Sequence, residues 1–176
     1  MNATSKGRLC GRCYKLGDNV PLDNAIMPVR FAVNHEFDLS VLMPYLFTDL
    51  IPNFAERAKA GDIIVAGKSF CVGKAHPQGL ICIAHLGVGI LCESMPFNAY
   101  RGAVSRGIHV NRNCEGILAL VEDGDEIEMD YASGHLINHS RNAEHNFPPI
   151  EQGLLAIMTG GGMHGMLRQW RDLHPQ

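Results

Sequence analysis

The sequence predicts an α/β fold in which a parallel sheet with covering helices gives way to a small antiparallel extension. Three observations carry this. "GDIIVAG" (61–67) is a continuous apolar run bounded by glycines, the pattern of a strand covered on both faces. Beyond it, apolar segments of strand length alternate with segments of helical length. The last third changes period: "GDEIEMDYASGHLINH" (124–139) alternates apolar and polar residues around "ASG", the signature of an antiparallel hairpin.

Each element carries its own signal. "GRLCGRCYKLG" (7–17) reads as a strand and "DNVPLDNAIMP" (18–28) as a loop, since Pro21 and Pro28 exclude a long helix there. "PNFAERAKAGD" (52–62) reads as a short helix ended by Gly61, which leads into the strand "DIIVAG". "QGLICIAHLGV" (78–88) has helical length and apolar spacing, and "GILCES" (89–94) is a second buried strand. "FNAYRGAVSRG" (97–107) is a helix closed by Gly107, and "IHVNR" (108–112) the next strand. After the hairpin, "EQGLLAIMTGGGMHGMLRQW" (151–170) reads as a helix, a glycine break and a second short helix. Trp170 and the C-terminal methionines are expected to fill a core or an interface. "GGG" (160–162) has too little around it to cradle a phosphate. The expectation is one domain over 1–176, with a core at about 7–120 and the hairpin and C-terminal helices at about 121–176.

Composition narrows the function classes. Of 176 residues, 46% are hydrophobic, enough for a sizeable core, and the net charge is -3, which gives no electrostatic reason to expect nucleic acid or a membrane surface as partner. No apolar run reaches the length of a membrane span, and the N-terminus lacks the apolar stretch of a secretory signal, so a cytoplasmic protein is expected. Six cysteines are scattered along the chain. Cys10 and Cys13 in "CGRC" have the spacing of half a zinc or redox site, but no second pair lies nearby, and ordinary thiols in a strand are the default. His135 and His139 are four apart in a strand, on one face at about 13 Å, too far to share a metal. No metal-ligand set is expected in this chain.

The order and spacing of "GRCYKLGDNVPLDNAIMP", "GDIIVAGKSF", "GVGILCES", "NAYRGAVSRGI" and "GDEIEMDYASGHLIN" resemble the small subunit of 3-isopropylmalate dehydratase, the swivelling domain of the aconitase superfamily. The resemblance runs from Gly7 to the last helix, and "GDIIVAGKSF" is its most specific piece. It implies an aconitase-type swivelling β/β/α domain and a separate large subunit that carries a [4Fe-4S] cluster, with no cofactor bound by this chain. It implies removal and re-addition of water on a hydroxy di- or tricarboxylic acid, most closely the interconversion of 3- and 2-isopropylmalate in leucine biosynthesis. It leaves room for self-association of the isolated chain.

The same resemblance exposes a departure. In the family the loop after "IIVAGKSF" reads Gly-Ser-Ser-Arg-Glu-His. The first serine is placed as base, and the arginine grips a substrate carboxylate through two parallel hydrogen bonds. Here the loop is "GKAHPQG" (73–79): Gly73 is kept, Lys74 stands for the base serine, Ala75 for the second serine, and His76 for the arginine. Three readings are open. Lys74 could act as base with His76 as the carboxylate's cation. The loop could bind an acid without chemistry, in a degenerate paralogue or scaffold module. Or both side chains could be plain surface residues.

Lys74 and His76 are the candidate catalytic residues, with Gly73, Ala75, Ser69, Asp23 and Arg30 as candidate substrate-binding residues. Asp23, "AIMP" and Arg30 match the family's Asp-rich loop, although "PLDN" carries one extra residue. "VRFAVNHEF" (29–37), with Arg30 and His35, is the segment expected to shape substrate specificity. The plainer alternatives are that Asp23 caps a turn and Arg30 pairs on the surface. In "ESMPFNAYRG", Glu93, Ser94, Tyr100 and Arg101 match the family pattern. Ser94 is a candidate helix cap, and packing plus a salt bridge is the expected role of Tyr100 and Arg101.

Overall fold

A computed structural model describes residues 7–174. The first six residues, on which the absence of a secretory signal partly rests, lie outside that range.

Among the described residues, seven strands form one sheet in the order β4-β3-β2-β1-β5-β6-β7. The parallel half is β1 (Arg8–Lys15), β2 (Ile63–Ala66), β3 (Gly89–Cys92) and β4 (Val110–Asn111). Every residue of β2 and β3 is buried, as their unbroken apolar runs require. Helices α4 (Gln78–Leu86) and α5 (Phe97–Ser105) connect these strands. Gly87 closes α4 in the left-handed conformation that ends many helices.

The antiparallel half is β5 (Glu126–Asp130), β6 (His135–Asn138) and β7 (Ala143–Asn146). β1 joins the two halves. Its residues 8–12 pair antiparallel with β5, and Cys13, Tyr14 and Lys15 pair parallel with β2. Asp62 holds this change of partner in place. Buried to 6% exposure, it accepts hydrogen bonds from the backbone N–H of Arg12 and of Lys59, both at 2.9 Å. The two bonds offset the cost of taking a carboxylate out of water.

Three features differ from the expectation. The 52–62 helix shrinks to one turn, α3 (Phe54–Arg57), because Asn53 enters it left-handed and Ala58 leaves it extended. Before it lie two more short helices, α1 (Val29–Val33) and α2 (Leu39–Leu42), the first starting directly after Pro28. The hairpin gains a third strand in β7, whose sequence "AEHN" lacks the apolar alternation of an inner strand because most of it is solvent-exposed.

α6 (Ile117–Leu120) is likewise a single turn. The C-terminal helices are α7 (Gln152–Thr159) and α8 (Gly162–Leu173), broken as expected at the glycines. Trp170 does not enter the core: it is 61% exposed and stacks on His174, with ring centroids 4.8 Å apart. No helix among the described residues is long and apolar enough to cross a membrane.

Cys10 and Cys13 cannot share a ligand. Three residues apart on a strand, they face opposite sides, and Cys13 is fully buried while Cys10 is exposed.

Candidate functional site

Between β2 and α4 the chain makes an eleven-residue loop, 67–77, stitched to the segment after β1. Gly67 comes so close to Asp18 that an added Cβ would run into its carboxylate and, at 2.8 Å, into Leu118. That carboxylate accepts the Lys68 N–H at 2.7 Å. The Ser69 N–H donates to Ser94 Oγ at 2.8 Å. Ser94 therefore braces this loop, and α5 has no side-chain cap. Buried Cys71 donates its N–H to the Val20 carbonyl at 2.9 Å, and Leu22 donates to Val72 at 2.8 Å. Gly73 has φ of +107° and its Cα faces Asp23, where a Cβ would meet Oδ2 at 3.0 Å. Both constraints favour glycine.

Asp23 organises the turn into α4. One carboxylate oxygen accepts the Lys74 N–H at 3.2 Å, and the other lies 3.0 Å from His76 Nε2. That second contact is close enough for an ion pair and too oblique for a hydrogen bond: neither Asp23 Oδ1 nor either His76 ring nitrogen has an aligned partner. His76 is only 8% exposed. An unpartnered buried nitrogen costs about 1–3 kcal/mol.

The ring borders a cavity of about 240 Å³ bounded by Ala75, His76 and Pro77 on one side and Asn98, Ala99 and Arg106 on the other. Arg106 comes directly after the last turn of α5 and donates to the Gly102 carbonyl at 2.8 Å. Burial lowers the pKa of this guanidinium below its ordinary value, and an arginine stays charged at neutral pH all the same. α4 starts at this cavity, and the free N–H groups of its first turn favour an anion. A histidine, an arginine and a helix N-terminus thus converge on a space suited to a carboxylate. A larger groove of about 690 Å³ runs on between α5, α7 and α8, sharing Asn98 and Arg106, but none of residues 73–77 reaches it.

The structure brings Asp23, Gly73, Lys74, Ala75 and His76 together. Lys74 and Ala75 are both exposed; Ala75 lines the cavity and Lys74 does not. Ser69 sits upstream against Ser94 and does not line the cavity. Neither does Arg30, whose guanidinium lies over the rings of Phe31 and Tyr45 at 4.9 and 4.8 Å. His35 is exposed, with φ of +53°. Tyr100 packs as expected, but beneath Arg112 rather than in a pairing through Arg101. Arg106 is the residue sequence reasoning missed; an arginine directly before the helix-closing Gly107 was the available signal.

An iron-sulfur cluster does not fit this chain's own thiols. Cys13, Cys71, Cys82, Cys92 and Cys114 are buried. Burial pushes the thiols of Cys13, Cys82 and Cys92 up to about 12 and raises those of Cys71 and Cys114 far above the ordinary thiol range, so they stay protonated. Among the described residues, these five contribute to no set of three closely placed ligand atoms.

No family model matches the chain. Individual relatives do. The homoaconitase small subunit of Methanothermobacter thermautotrophicus is 34% identical over 161 residues, 90% of this chain and 89% of that protein. The 3-isopropylmalate dehydratase small subunit 1 of Thermotoga maritima is 33% identical over 160 residues, 90% of this chain and 94% of that protein. A crystal structure of 3-isopropylmalate dehydratase from Methanocaldococcus jannaschii superposes with a TM-score of 0.80 at 25% identity, covering 94% of this chain and 96% of that one. The fold, the loop position and these relatives agree: the chain belongs to the small-subunit family of 3-isopropylmalate dehydratase and homoaconitase, the aconitase-like hydro-lyases.

Proposed function

We propose that this chain is the swivelling, substrate-closing subunit of a cytoplasmic hydro-lyase that moves water on a hydroxy di- or tricarboxylic acid, with 3-isopropylmalate the first candidate. A separate large subunit carries the [4Fe-4S] cluster in this reading, and residues 1–176 move as one domain. The observation that supports it is His76: buried, without an aligned partner, and set beside Arg106 at the start of α4, where the family's carboxylate-gripping arginine stands. His76, Arg106 and the α4 N-terminus hold one substrate carboxylate. Lys74, exposed two residues before His76, takes the proton from the carbon that loses it and returns it on rehydration. A lysine accepts a proton only through its amine lone pair. Asp23 fixes both residues through its two oxygens. No specific observation favours the scaffold-module alternative.

The test is reconstitution with the large subunit under anaerobic conditions and a panel of hydroxy-acids. At least one acid should interconvert. His76→Ala and Arg106→Ala should each raise KM by about 10- to 100-fold, the loss expected for one charge-assisted hydrogen bond. A complex that assembles and is inert on every acid would overturn the proposal.

A further inference from the structure

The outer face of the antiparallel half carries a cluster that this reaction does not use. Cys10 on β1 sits directly across from Glu128 on β5. Glu128 in turn pairs with Ile137 on β6, so His139, two residues on, lies diagonal to it on the same face. Strand alternation turns all three away from the core, which receives Ile127, Met129 and Leu136 instead.

The Cys10 sulfur, a Glu128 carboxylate oxygen and a His139 ring nitrogen all lie within 4.8 Å of one another. The His139 Nε2 to Glu128 Oε2 edge is 3.3 Å. Two ligands on a tetrahedral zinc ion, with bonds of about 2.0–2.1 Å, stand about 3.3 Å apart, so this edge already has the right length. Arg8 donates to the other oxygen, Oε1, at 2.8 Å and steadies the carboxylate with Oε2 turned towards His139. One thiol, one imidazole and one carboxylate suit a borderline ion such as zinc or cobalt; calcium and magnesium prefer oxygen alone.

We propose that Cys10, Glu128 and His139 form an open site for a divalent transition-metal ion of the zinc class, with water as the fourth ligand. Binding displaces the Cys10 proton to solvent and leaves the metal's oxidation state unchanged. The three residues are scattered through the sequence, so only strand register reveals them.

The test uses the full, reduced chain titrated with cobalt(II). A thiolate-to-cobalt charge-transfer band should grow to one ion per chain and be bleached by zinc. Cys10 is the one exposed thiol among the six, so in folded protein the band reports this site. Cys10→Ser should abolish it. His139→Ala and Glu128→Gln should weaken cobalt binding by about tenfold or more. His135→Ala, which removes a neighbour paired with Glu144, should leave it unchanged. Zinc should also slow alkylation of Cys10, and that protection should vanish in His139→Ala. Absence of the band in protein that melts cooperatively, or a band and affinity unaltered in His139→Ala, would overturn the proposal.

Discussion

Asp23 and His76 meet at 3.0 Å although 53 residues separate them, and the same carboxylate takes the backbone N–H of Lys74. One side chain therefore sets the position of both residues that replace the family's serine and arginine. Asp23→Asn keeps an acceptor for the Lys74 N–H and removes the charge facing His76. It should raise KM while the melting temperature barely moves. Asp23→Ala removes the acceptor too and should cost about 1 kcal/mol of stability besides. Steady-state kinetics and thermal melts of the two variants, side by side, check this; equal kinetics for Asn, Ala and wild type would rule out an organising role.

Lys74→Ala should lower kcat by about 10²- to 10⁴-fold in the reconstituted enzyme, the range for losing a general base. Lys74→Arg keeps the positive charge and loses a usable base, so it should be about as slow as Ala. If Lys74→Arg retains activity, the residue serves as a cation and not as a base.

His109 should make stability pH-dependent. It packs at a tilt against Tyr131, with ring centroids 5.4 Å apart, and burial holds its pKa below the ordinary 6.5. The unfolded imidazole therefore binds a proton that the folded one refuses. This contribution is complete above about pH 6.5 and is lost as pH falls from there through the lower folded value. Denaturant melts across pH 7 to 5 should show the loss, and His109→Gln should flatten that slope; an unchanged slope in the variant would assign it to other groups.

Gly67→Ala should destabilise the fold by about 1–3 kcal/mol, since the new methyl meets the Asp18 carboxylate and Leu118. Gly17→Ala, at a position with nothing within 4 Å of the added carbon, is the control and should melt within a degree or two of wild type. Thermal melts decide between them.

Much of the fold is legible in the sequence. β2, β3, α4 and α5 announce themselves because each is long enough, or apolar enough, to carry its own period. The hairpin shows through the alternation of "EIEMD". The parts that stay hidden depend on neighbours remote in sequence. β7 is polar on an outer position and reads as loop. α1, α2 and α6 are too short to develop a period. Ser94 looks like a helix cap and is instead taken by Ser69, a contact between two loops. At the site, the order of "GKAH" places the loop at the start of a helix, but neither the burial of His76 nor the arrival of Arg106 from another helix is encoded locally. Arg30 illustrates the converse: its place in the motif suggests substrate, while Phe31 and Tyr45 hold its guanidinium.

β1 serves both halves of the sheet at once, and this orders events during synthesis. It leaves the ribosome well before β5, and Arg8 finds Glu128 only after 120 further residues have been made. Until then one edge of the central strand is bare, open to any passing strand. Closing so long a loop is a slow, entropy-limited step. A nascent chain halted before Asp130 should thus be a far better chaperone client than the finished protein.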